Sequence, residues 1–427
     1  MTLFILIASF FLLVGAGMPI AFAIGVSSFF ALMHQGLPVV LISHYMFAGL
    51  DSFTLCAVPM FILAGEIMLQ GGLTRSLTDL ADLLVGRIRG GLGHTNIVGS
   101  MFFAGITGSA TADCAAIGSL LIPVMSERGY GRAYSTAVTI AGAIIGPIIP
   151  PSLTFIIYAL AVGQISIGGL FMAGIVPGLL TGLGLMVVNY RISRKRNYER
   201  RTYGYSKRQI LDIVRKSAIV LVMPALIVGG ILSGIYTATE SAAAAAAYAL
   251  IIGFVFFRLL KLRQLPDIFV NSAKVTAIMI VLLATSNIFS YVLVTENVPV
   301  LLADLMHSLT DNKYIFLFIL NCILFVIGCL VDLFPAILIF GPIFGPIGAS
   351  YGVDPLHFGI IFCVNLLIGL NTPPVGSGLM IGAALGGVTV EELTREMVPF
   401  LIIQVVVMFL ITYVPIFTLL IPKMAGF

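Results

Sequence analysis

Two proline-rich interruptions in long apolar runs hold groups well suited to bind an ion or a solute. They read Gly-Pro-Ile-Ile-Pro-Pro-Ser at 146–152 and Gly-Leu-Asn-Thr-Pro-Pro-Val-Gly at 369–376. Proline lacks a backbone donor and constrains the residue before it, so each segment predicts an unwound stretch inside a helix. Within a membrane such backbone persists only where it is buried in protein or lines a polar cavity. The candidate binding residues are therefore Gly146, Pro147, Pro150, Pro151, Ser152, Gly369, Asn371, Thr372, Pro373, Pro374, Val375 and Gly376.

A second pair of segments combines glycines with polar side chains inside apolar stretches. Residues 105–113 read Gly-Ile-Thr-Gly-Ser-Ala-Thr-Ala-Asp, and residues 328–335 read Gly-Cys-Leu-Val-Asp-Leu-Phe-Pro. Each pattern favours a helical hairpin that enters the membrane and turns back, although a kinked span with its hydroxyls bonded to preceding carbonyls is the alternative. The candidates at the two tips are Gly108, Ser109, Ala110, Thr111, Asp113, Gly328 and Asp332.

The chemistry open to these residues is the coordination of a small hard cation such as sodium. Asp113 and Asp332 are each interpreted as an ion ligand, a proton carrier or a cap of its own turn. Neither broken span carries a Lys or Arg at mid-depth, so an anionic solute would be held by helix N-termini, hydroxyls, amides and co-bound cations. The oxygen ligands would come from unwound carbonyls together with Ser109, Thr111, Ser152, Asn371 and Thr372.

The two proline pairs repeat at a fixed distance of 373 − 150 = 223 residues. The same offset, kept without a gap, superposes Pro123 on Pro346 and Gly118 on Gly341. Coincidences of proline at three positions predict an internal duplication of the chain. Glycine- and proline-interrupted apolar segments at corresponding positions of two halves are typical of the binding site of a secondary transporter.

The composition predicts an all-α polytopic protein embedded in a lipid bilayer. Of 427 residues, 59% are hydrophobic and 9% are charged, with a mean hydropathy of +1.13, whereas a soluble domain has about a quarter charged residues. The chain has no phosphate-binding loop motif and no HExxH motif, and its cysteines lack metal-ligand spacing. We therefore expect no enzymatic activity, no organic cofactor and no nucleic-acid partner. A channel is the alternative to a carrier.

A basic segment divides the chain into two halves. The first half, 1–190, has a predicted amphipathic helix from Leu73 to Ile88, then a hairpin at about 96–127 and a broken helix at about 133–163. Residues 191–216 hold ten of the 22 Lys and Arg residues, Arg201 among them, so the linker 191–217 is predicted to be cytoplasmic. The second half, 218–427, has an amphipathic helix at about 297–310, a hairpin at about 314–347, a broken helix at about 355–387 and a last span from Val398 to Ile421.

Orientation follows from counting spans away from the cytoplasmic linker. The first amphipathic helix then falls inside and the second, nearly free of Lys and Arg, falls outside. Corresponding elements therefore face opposite sides of the membrane, which predicts that the two halves form an inverted repeat.

The order of these motifs resembles a known family. Residues 106–113, 146–152, 237–242 (Thr-Ala-Thr-Glu-Ser-Ala) and 369–376 resemble segments of the large membrane subunit of tripartite ATP-independent periplasmic (TRAP) transporters, the DctM-like family. The family often has Thr-Pro-Thr-Glu where this chain has Thr-Ala-Thr-Glu. The resemblance implies a sodium-driven importer of organic acids, such as C4-dicarboxylates or sialic acid, in the bacterial inner membrane. It also implies two partners, a small four-helix membrane subunit on a separate chain and a periplasmic binding protein that delivers the substrate.

The resemblance further implies a fold of the ion-transporter superfamily. In that fold a scaffold domain holds a transport domain, built from two re-entrant hairpins and two broken helices, which moves as an elevator. The alternative functions are a cation or anion channel and a proton-coupled carrier independent of a binding protein. Carried onto this chain, the sodium sites pair the first tip with 146–152 and the second tip with 371–376, and the implied ligands are Ser109, Gly146, Ser152, Asp332 and Thr372.

Overall fold

A computed structural model describes residues 1–163, 165–200 and 204–427. Arg201, part of the predicted basic segment, lies outside these residues. Within them every regular element is a helix and no strand occurs. Seven of the described helices are long and apolar enough to cross a membrane, by length and composition. The prediction of an all-α polytopic membrane protein is confirmed.

The first half contains the predicted amphipathic helix, hairpin and broken helix in that order. They are α5, the pair α6 and α7, and the pair α8 and α9 of the following series. The described α-helices are α1 (Thr2–Gly15), α2 (Ile20–His34), α3 (Val40–Ala48), α4 (Ala57–Gln70), α5 (Thr74–Val85), α6 (Gly91–Thr107), α7 (Ala110–Glu127), α8 (Arg132–Ala143), α9 (Leu153–Val162) and α10 (Ile167–Lys195). The hairpin thus begins at Gly91, earlier than the predicted start at about 96.

The second half begins with two helices, α11 and α12, which pack against α5 and α4 respectively. The elements after them follow the same order as in the first half. The amphipathic helix of the second half is α14, its hairpin is α15 and α16, and its broken helix is α17 and α18. The described α-helices are α11 (Lys207–Leu232), α12 (Ala238–Ile251), α13 (Leu265–Thr295), α14 (Val298–Leu309), α15 (Lys313–Leu330), α16 (Leu333–Ser350), α17 (Pro355–Gly369), α18 (Ser377–Gly386), α19 (Val390–Tyr413) and α20 (Ile416–Met424).

Two predicted boundaries are wrong. The linker is shorter than 191–217, because α10 continues to Lys195 and α11 already begins at Lys207 after a Ser206 cap. The last span, Val398 to Ile421, is two helices, since Pro415 lacks the donor needed to continue α19. Hydropathy marks the part of a helix that lies in hydrocarbon, so it misses charged turns that extend the same helix into the interface.

The first residues of five consecutive helices recur, to within one position, at an offset of 223 residues. α7 begins at Ala110 and α16 at Leu333, 333 − 110 = 223, and their last residues, Glu127 and Ser350, keep the same offset. α15, α17, α18 and α19 each begin within one residue of the position that the offset assigns from α6, α8, α9 and α10. The hairpin, the broken helix and the long helix after it are therefore present twice in the same order.

A buried hydrogen bond ties each broken helix to the long helix that follows it. The Tyr134 hydroxyl of α8 donates to Asn189 Oδ1 of α10 at 2.7 Å, and the Asn189 amide donates to the Gly90 carbonyl at 3.2 Å. In the second half the His357 ring of α17 hydrogen-bonds the Thr412 carbonyl of α19 at 3.2 Å. Tyr134 and His357 differ by 223 in number, as do Asn189 and Thr412. These anchors hold the two broken helices at equivalent places.

Replacing Asn189 with leucine removes the first anchor. The Tyr134 hydroxyl and the buried Gly90 carbonyl would each lose a partner, and a buried polar group left unpaired costs about 1–3 kcal/mol. We expect the thermal unfolding midpoint of the purified protein to fall by several degrees. Asn271→Leu is the control, because Asn271 is exposed on α13. An equal loss in both variants would contradict a role for the anchor.

Candidate functional site

The turn between α6 and α7 is the tip of the first hairpin. Only Gly108 and Ser109 separate the two helices, and Gly108 has a φ of +59°, a conformation that glycine adopts readily. The Thr107 hydroxyl donates to a carboxylate oxygen of Asp113 across the turn. Asp113 has no exposed surface. Its carboxylate therefore fastens the turn from the inside.

The interruption between α8 and α9 packs directly on this first tip. Ser152 caps α9, and its hydroxyl donates to the Pro147 carbonyl within the unwound segment. Gly146 lies so close to the Asp113 carboxylate that a side-chain carbon on Gly146 would overlap it. Gly108 likewise meets the backbone of the interruption, because a carbon added to it would lie 2.6 Å from the Pro151 carbonyl oxygen. The first tip and the first interruption form one packed unit.

The second tip lies between α15 and α16 and packs in a similar way. Asp332 precedes α16, and its Oδ1 accepts a hydrogen bond from the Ser377 hydroxyl of α18 at 2.9 Å. Gly328 crosses Gly369 so closely that a Cβ on Gly369 would lie 2.5 Å from the Gly328 Cα. The Gly376 N–H donates to a backbone carbonyl of the tip at 3.3 Å. The second tip is thus bonded to the second interruption through both side chain and backbone.

The second interruption, between α17 and α18, also reaches the first half. Asn371 Nδ2 donates to the Ile140 carbonyl of α8 at 2.9 Å. The Thr372 hydroxyl donates to a carbonyl one turn earlier in α17 at 2.9 Å. Residues 373–375 are exposed, whereas the corresponding residues 150–152 are buried. One interruption is covered by protein and its counterpart is open.

Both tips and both interruptions border a single cleft. Its empty space is about 590 Å³, which includes its opening to the outside. Asp332 is the one charged side chain among the described residues that line it. The lining residues are Ser109, Ala110, Thr111, Cys114, Ile140, Ala143, Ile144, Pro147, Thr154, Asp332, Leu333, Phe334, Leu370, Asn371, Ser377, Gly378 and Ile381.

The structure separates the predicted site residues into two groups. Those that line the cleft are Ser109, Ala110, Thr111, Pro147, Asp332 and Asn371. The others lie behind the lining, at the crossings of tips and interruptions or in the open turn: Gly108, Asp113, Gly146, Pro150, Pro151, Ser152, Gly328, Gly369, Thr372, Pro373, Pro374, Val375 and Gly376. The two carboxylates thus differ, since Asp332 faces the cleft and Asp113 does not.

Two polar lining residues, Thr154 and Ser377, are absent from the sequence prediction. Thr154 lies in the first turn of α9 and Ser377 begins α18. They are related by 377 − 154 = 223, so the offset could have identified them as a pair. Further lining pairs at this offset are Ser109 with Asp332, Ala110 with Leu333, Thr111 with Phe334, and Pro147 with Leu370.

The cleft presents groups suited to a cation next to groups suited to an anion. Hydroxyl, amide and carboxylate oxygens suit a small hard cation. The helices α7, α9, α16 and α18 all begin at the cleft, and free N–H groups at helix N-termini attract anions. Among the described residues no group of three or more His, Cys, Asp and Glu could hold a metal ion. The cleft lining is mostly apolar, and its side-chain oxygens other than those of Asp332 are neutral: they belong to Ser109, Thr111, Thr154, Asn371 and Ser377.

The crossing of Gly328 and Gly369 yields a test of the site's architecture. Gly369→Ala places a carbon against backbone atoms that cannot rotate away, so the second tip must move. We expect a lower unfolding midpoint and increased protease cleavage within 328–335. Gly229→Ala is the matched control, because nothing lies within 4 Å of a carbon added to that helical glycine. Unchanged cleavage in Gly369→Ala would show that the close crossing is not required.

Known proteins match both the sequence and the fold. The isethionate TRAP transporter permease protein DctMQ of Oleidesulfovibrio alaskensis is 41% identical over 412 residues, which cover 96% of this chain and 65% of that protein. The sialic acid TRAP transporter large permease protein SiaM of Vibrio cholerae is 36% identical over 410 residues, 96% of each protein. The crystal structure of the Alcanivorax borkumensis YdaH transporter aligns with a TM-score of 0.64 at 14% identity, covering 87% of this chain and 86% of that one.

The family assignment rests on a match along nearly the entire chain. The sequence profile of the DctM component of the tripartite ATP-independent periplasmic transporters covers residues 7–417. The two sequence relatives are named as transporter permeases and not as enzymes. The YdaH likeness, at its low identity, supports the fold alone. The chain belongs to the DctM family, the large permease component of TRAP transporters.

Proposed function

We propose that this chain is a sodium-coupled secondary active importer of a small organic anion across the bacterial inner membrane. The observation that carries the proposal is the single cleft at which both hairpin tips and both helix interruptions meet. Its lining provides oxygen ligands for a cation and helix N-termini for an anion. A carrier that binds both together couples the solute to the ion gradient.

Sodium is the coupling ion in this proposal because the available ligands are mostly neutral oxygens. Ser109 and Thr111 offer hydroxyls at the first tip, and Asp332 and Ser377 offer a carboxylate and a hydroxyl at the second tip. The predicted ligands Gly146, Ser152 and Thr372 do not line the cleft, so they would contribute backbone carbonyls of the unwound segments. Hard cations with flexible coordination use such mixed oxygen sets.

The solute is proposed to be a small organic acid. No Lys or Arg is found among the described residues that line the cleft, so helix N-termini, hydroxyls and bound sodium would hold the acid group. One relative is named for isethionate, a sulfonate, and another for sialic acid, a carboxylate. The family's C4-dicarboxylate carriers fall in the same chemical class. A cleft of this polarity suits one acid group with a hydroxylated or short apolar body.

An inverted repeat that moves as an elevator is the proposed mechanism. The equivalent lining pairs at an offset of 223 support a duplicated binding site. The difference between the covered first interruption and the open second one supports a carrier whose two halves exchange roles during the cycle. In this mechanism the linker, predicted as 191–217 and helical from Lys207, lies in the cytoplasm, as the positive-inside rule requires.

Two protein partners complete the proposed transporter. A small four-helix membrane subunit is the first partner, because the family is described as tripartite and this chain matches its DctM component. A periplasmic binding protein would deliver the organic acid. No organic cofactor is needed, because the energy comes from the ion gradient.

The first functional test targets the tip of the first hairpin. Ser109→Leu places an apolar side chain in the cleft and removes a hydroxyl, so we expect sodium-dependent uptake into proteoliposomes to fall at least tenfold while the protein still assembles. Thr372→Leu is the second variant. Thr372 lies behind the cleft lining and its hydroxyl donates to the Ile368 carbonyl, so we expect the second interruption to shift and sodium-dependent uptake to fall as well. Ser119→Leu is the control, since Ser119 is exposed on α7 and does not line the cleft. Full sodium-dependent uptake by Ser109→Leu would remove this site from the proposal.

The second test separates sodium coupling from proton coupling and from a channel. With the binding protein present, we expect uptake to follow an imposed sodium gradient, to show counterflow and to ignore a pH gradient alone. Asp332→Asn should raise the sodium concentration for half-maximal uptake about tenfold or more, because it removes the one charge among the described residues that line the cleft. Asp304→Asn, exposed on α14, is the control. Uptake driven by pH, or flux without counterflow, would favour the alternatives, as would transport without the binding protein.

A further inference from the structure

We infer that a groove between the start of α6 and the end of α10 binds an anionic phospholipid of the surrounding membrane. The groove has about 1020 Å³ of empty space, including its open side. It shares no lining residue with the cleft between the tips. Its lining residues are Ile88, His94, Leu183, Met186, Val187, Tyr190, Arg191 and Arg194.

One wall of the groove is an apolar face of α10. Leu183, Val187 and Tyr190 are 56%, 49% and 43% exposed. Their spacing of four and three residues places them on one side of the helix, one turn apart. Ile88 contributes from the segment before α6 and is 37% exposed. This wall fits a hydrocarbon chain lying along the helix.

The other end of the groove is cationic. The apolar run of α10 ends at Tyr190, and Arg191 and Arg194 follow on consecutive turns, both exposed. Neither arginine makes a hydrogen bond or ion pair within the described part of the chain, and no acidic residue lines the groove. A helix leaves the hydrocarbon where its apolar run ends, which is the depth of lipid phosphates. Guanidinium groups bind phosphate oxygens in a bidentate manner.

A buried histidine provides the second, independent indication of a ligand. His94 lines the groove and is only 2% exposed, yet neither ring nitrogen has a hydrogen-bond partner among the described residues. The Arg89 backbone lies near the His94 ring, but the geometry between them is not that of a hydrogen bond. Buried polar groups in proteins are nearly always paired. A phosphate or glycerol oxygen at the floor of the groove would supply the missing partner.

An anionic phospholipid meets all of these requirements at once. Its acyl chain would cover the apolar wall, its phosphate would neutralise the two arginines, and its headgroup oxygens would reach the imidazole. Basic pockets between membrane helices on the cytoplasmic side are suited to acidic headgroups. A zwitterionic lipid of the same chain length offers the same apolar contact but no net charge.

The experiment compares phosphatidylglycerol with phosphatidylcholine of identical acyl chains, added to the purified full-length protein in neutral detergent. We expect phosphatidylglycerol alone to raise the unfolding midpoint and to be retained in native mass spectrometry. The double variant Arg191→Gln with Arg194→Gln should bind phosphatidylglycerol about 30-fold more weakly, the effect of losing two basic contacts. Lys195→Gln with Arg208→Gln removes the same charge outside the groove and should change binding no more than about threefold.

A third variant tests the apolar wall without changing charge. Leu183→Trp fills the groove from an exposed position, so the lipid-free midpoint should stay the same while the stabilisation by phosphatidylglycerol is lost. Equal weakening in the two double variants would overturn the proposal, because it would indicate diffuse surface charge. The proposal would also be overturned if the variant Val187→Cys cross-linked to a co-purified membrane polypeptide, because a protein would then occupy the groove.

Discussion

The structure depends on one constraint: backbone groups freed by the two interruptions must find partners where water is scarce. Ser152 and Pro147 satisfy each other within the first interruption, and Asn371 supplies a donor to α8 from the second. The Gly376 amide is satisfied by the second tip. Together with the Ser377–Asp332 hydrogen bond and the close packing of Gly146 on Asp113, these bonds hold tips and interruptions in one body. Separating the parts would leave several polar groups unpaired in an apolar medium. The cleft is the space that this body leaves between its parts.

Much of this architecture is readable from residue types. Consecutive prolines fix the interruptions, and glycine with hydroxyls fixes the first tip, since these residues act through the local backbone. The different positions of Asp113 and Asp332 could not be predicted, because both are carboxylates at apolar tips and only tertiary packing turns one inward. Helix ends in charged segments, such as the start of α11 at Lys207, could not be predicted from hydropathy for a different reason. At the membrane interface, charged residues do not oppose helix formation. Thr154 and Ser377 could have been predicted as an equivalent pair, because they are separated by the repeat offset of 223 residues.

The two halves repeat in position more faithfully than in chemistry. Tyr134 bonds a side chain of the following helix, whereas His357 at the equivalent place bonds a backbone carbonyl. Both side chains attach a broken helix to the long helix that follows it, although one is a phenol and the other an imidazole. The position of the contact is therefore retained while the hydrogen-bonding group changes. The equivalent segments 150–152 and 373–375 also differ in exposure. A duplicated scaffold of this kind can hold one shared cleft and still treat its two sides differently.

The two sides of the cleft also differ in charge, because Ser109 of the first half occupies the position equivalent to Asp332 of the second half. Ser109 is neutral, whereas Asp332 is a carboxylate that accepts a hydrogen bond from Ser377. At a few ångströms a unit charge changes the energy of a cation by about 4 kcal/mol in a partly hydrated environment. The electrostatic potential inside the cleft is therefore more negative near Asp332 than near Ser109. In the proposed transport cycle, a cation would bind first beside the acidic half and only afterwards beside the neutral half, which gives ion loading a built-in order.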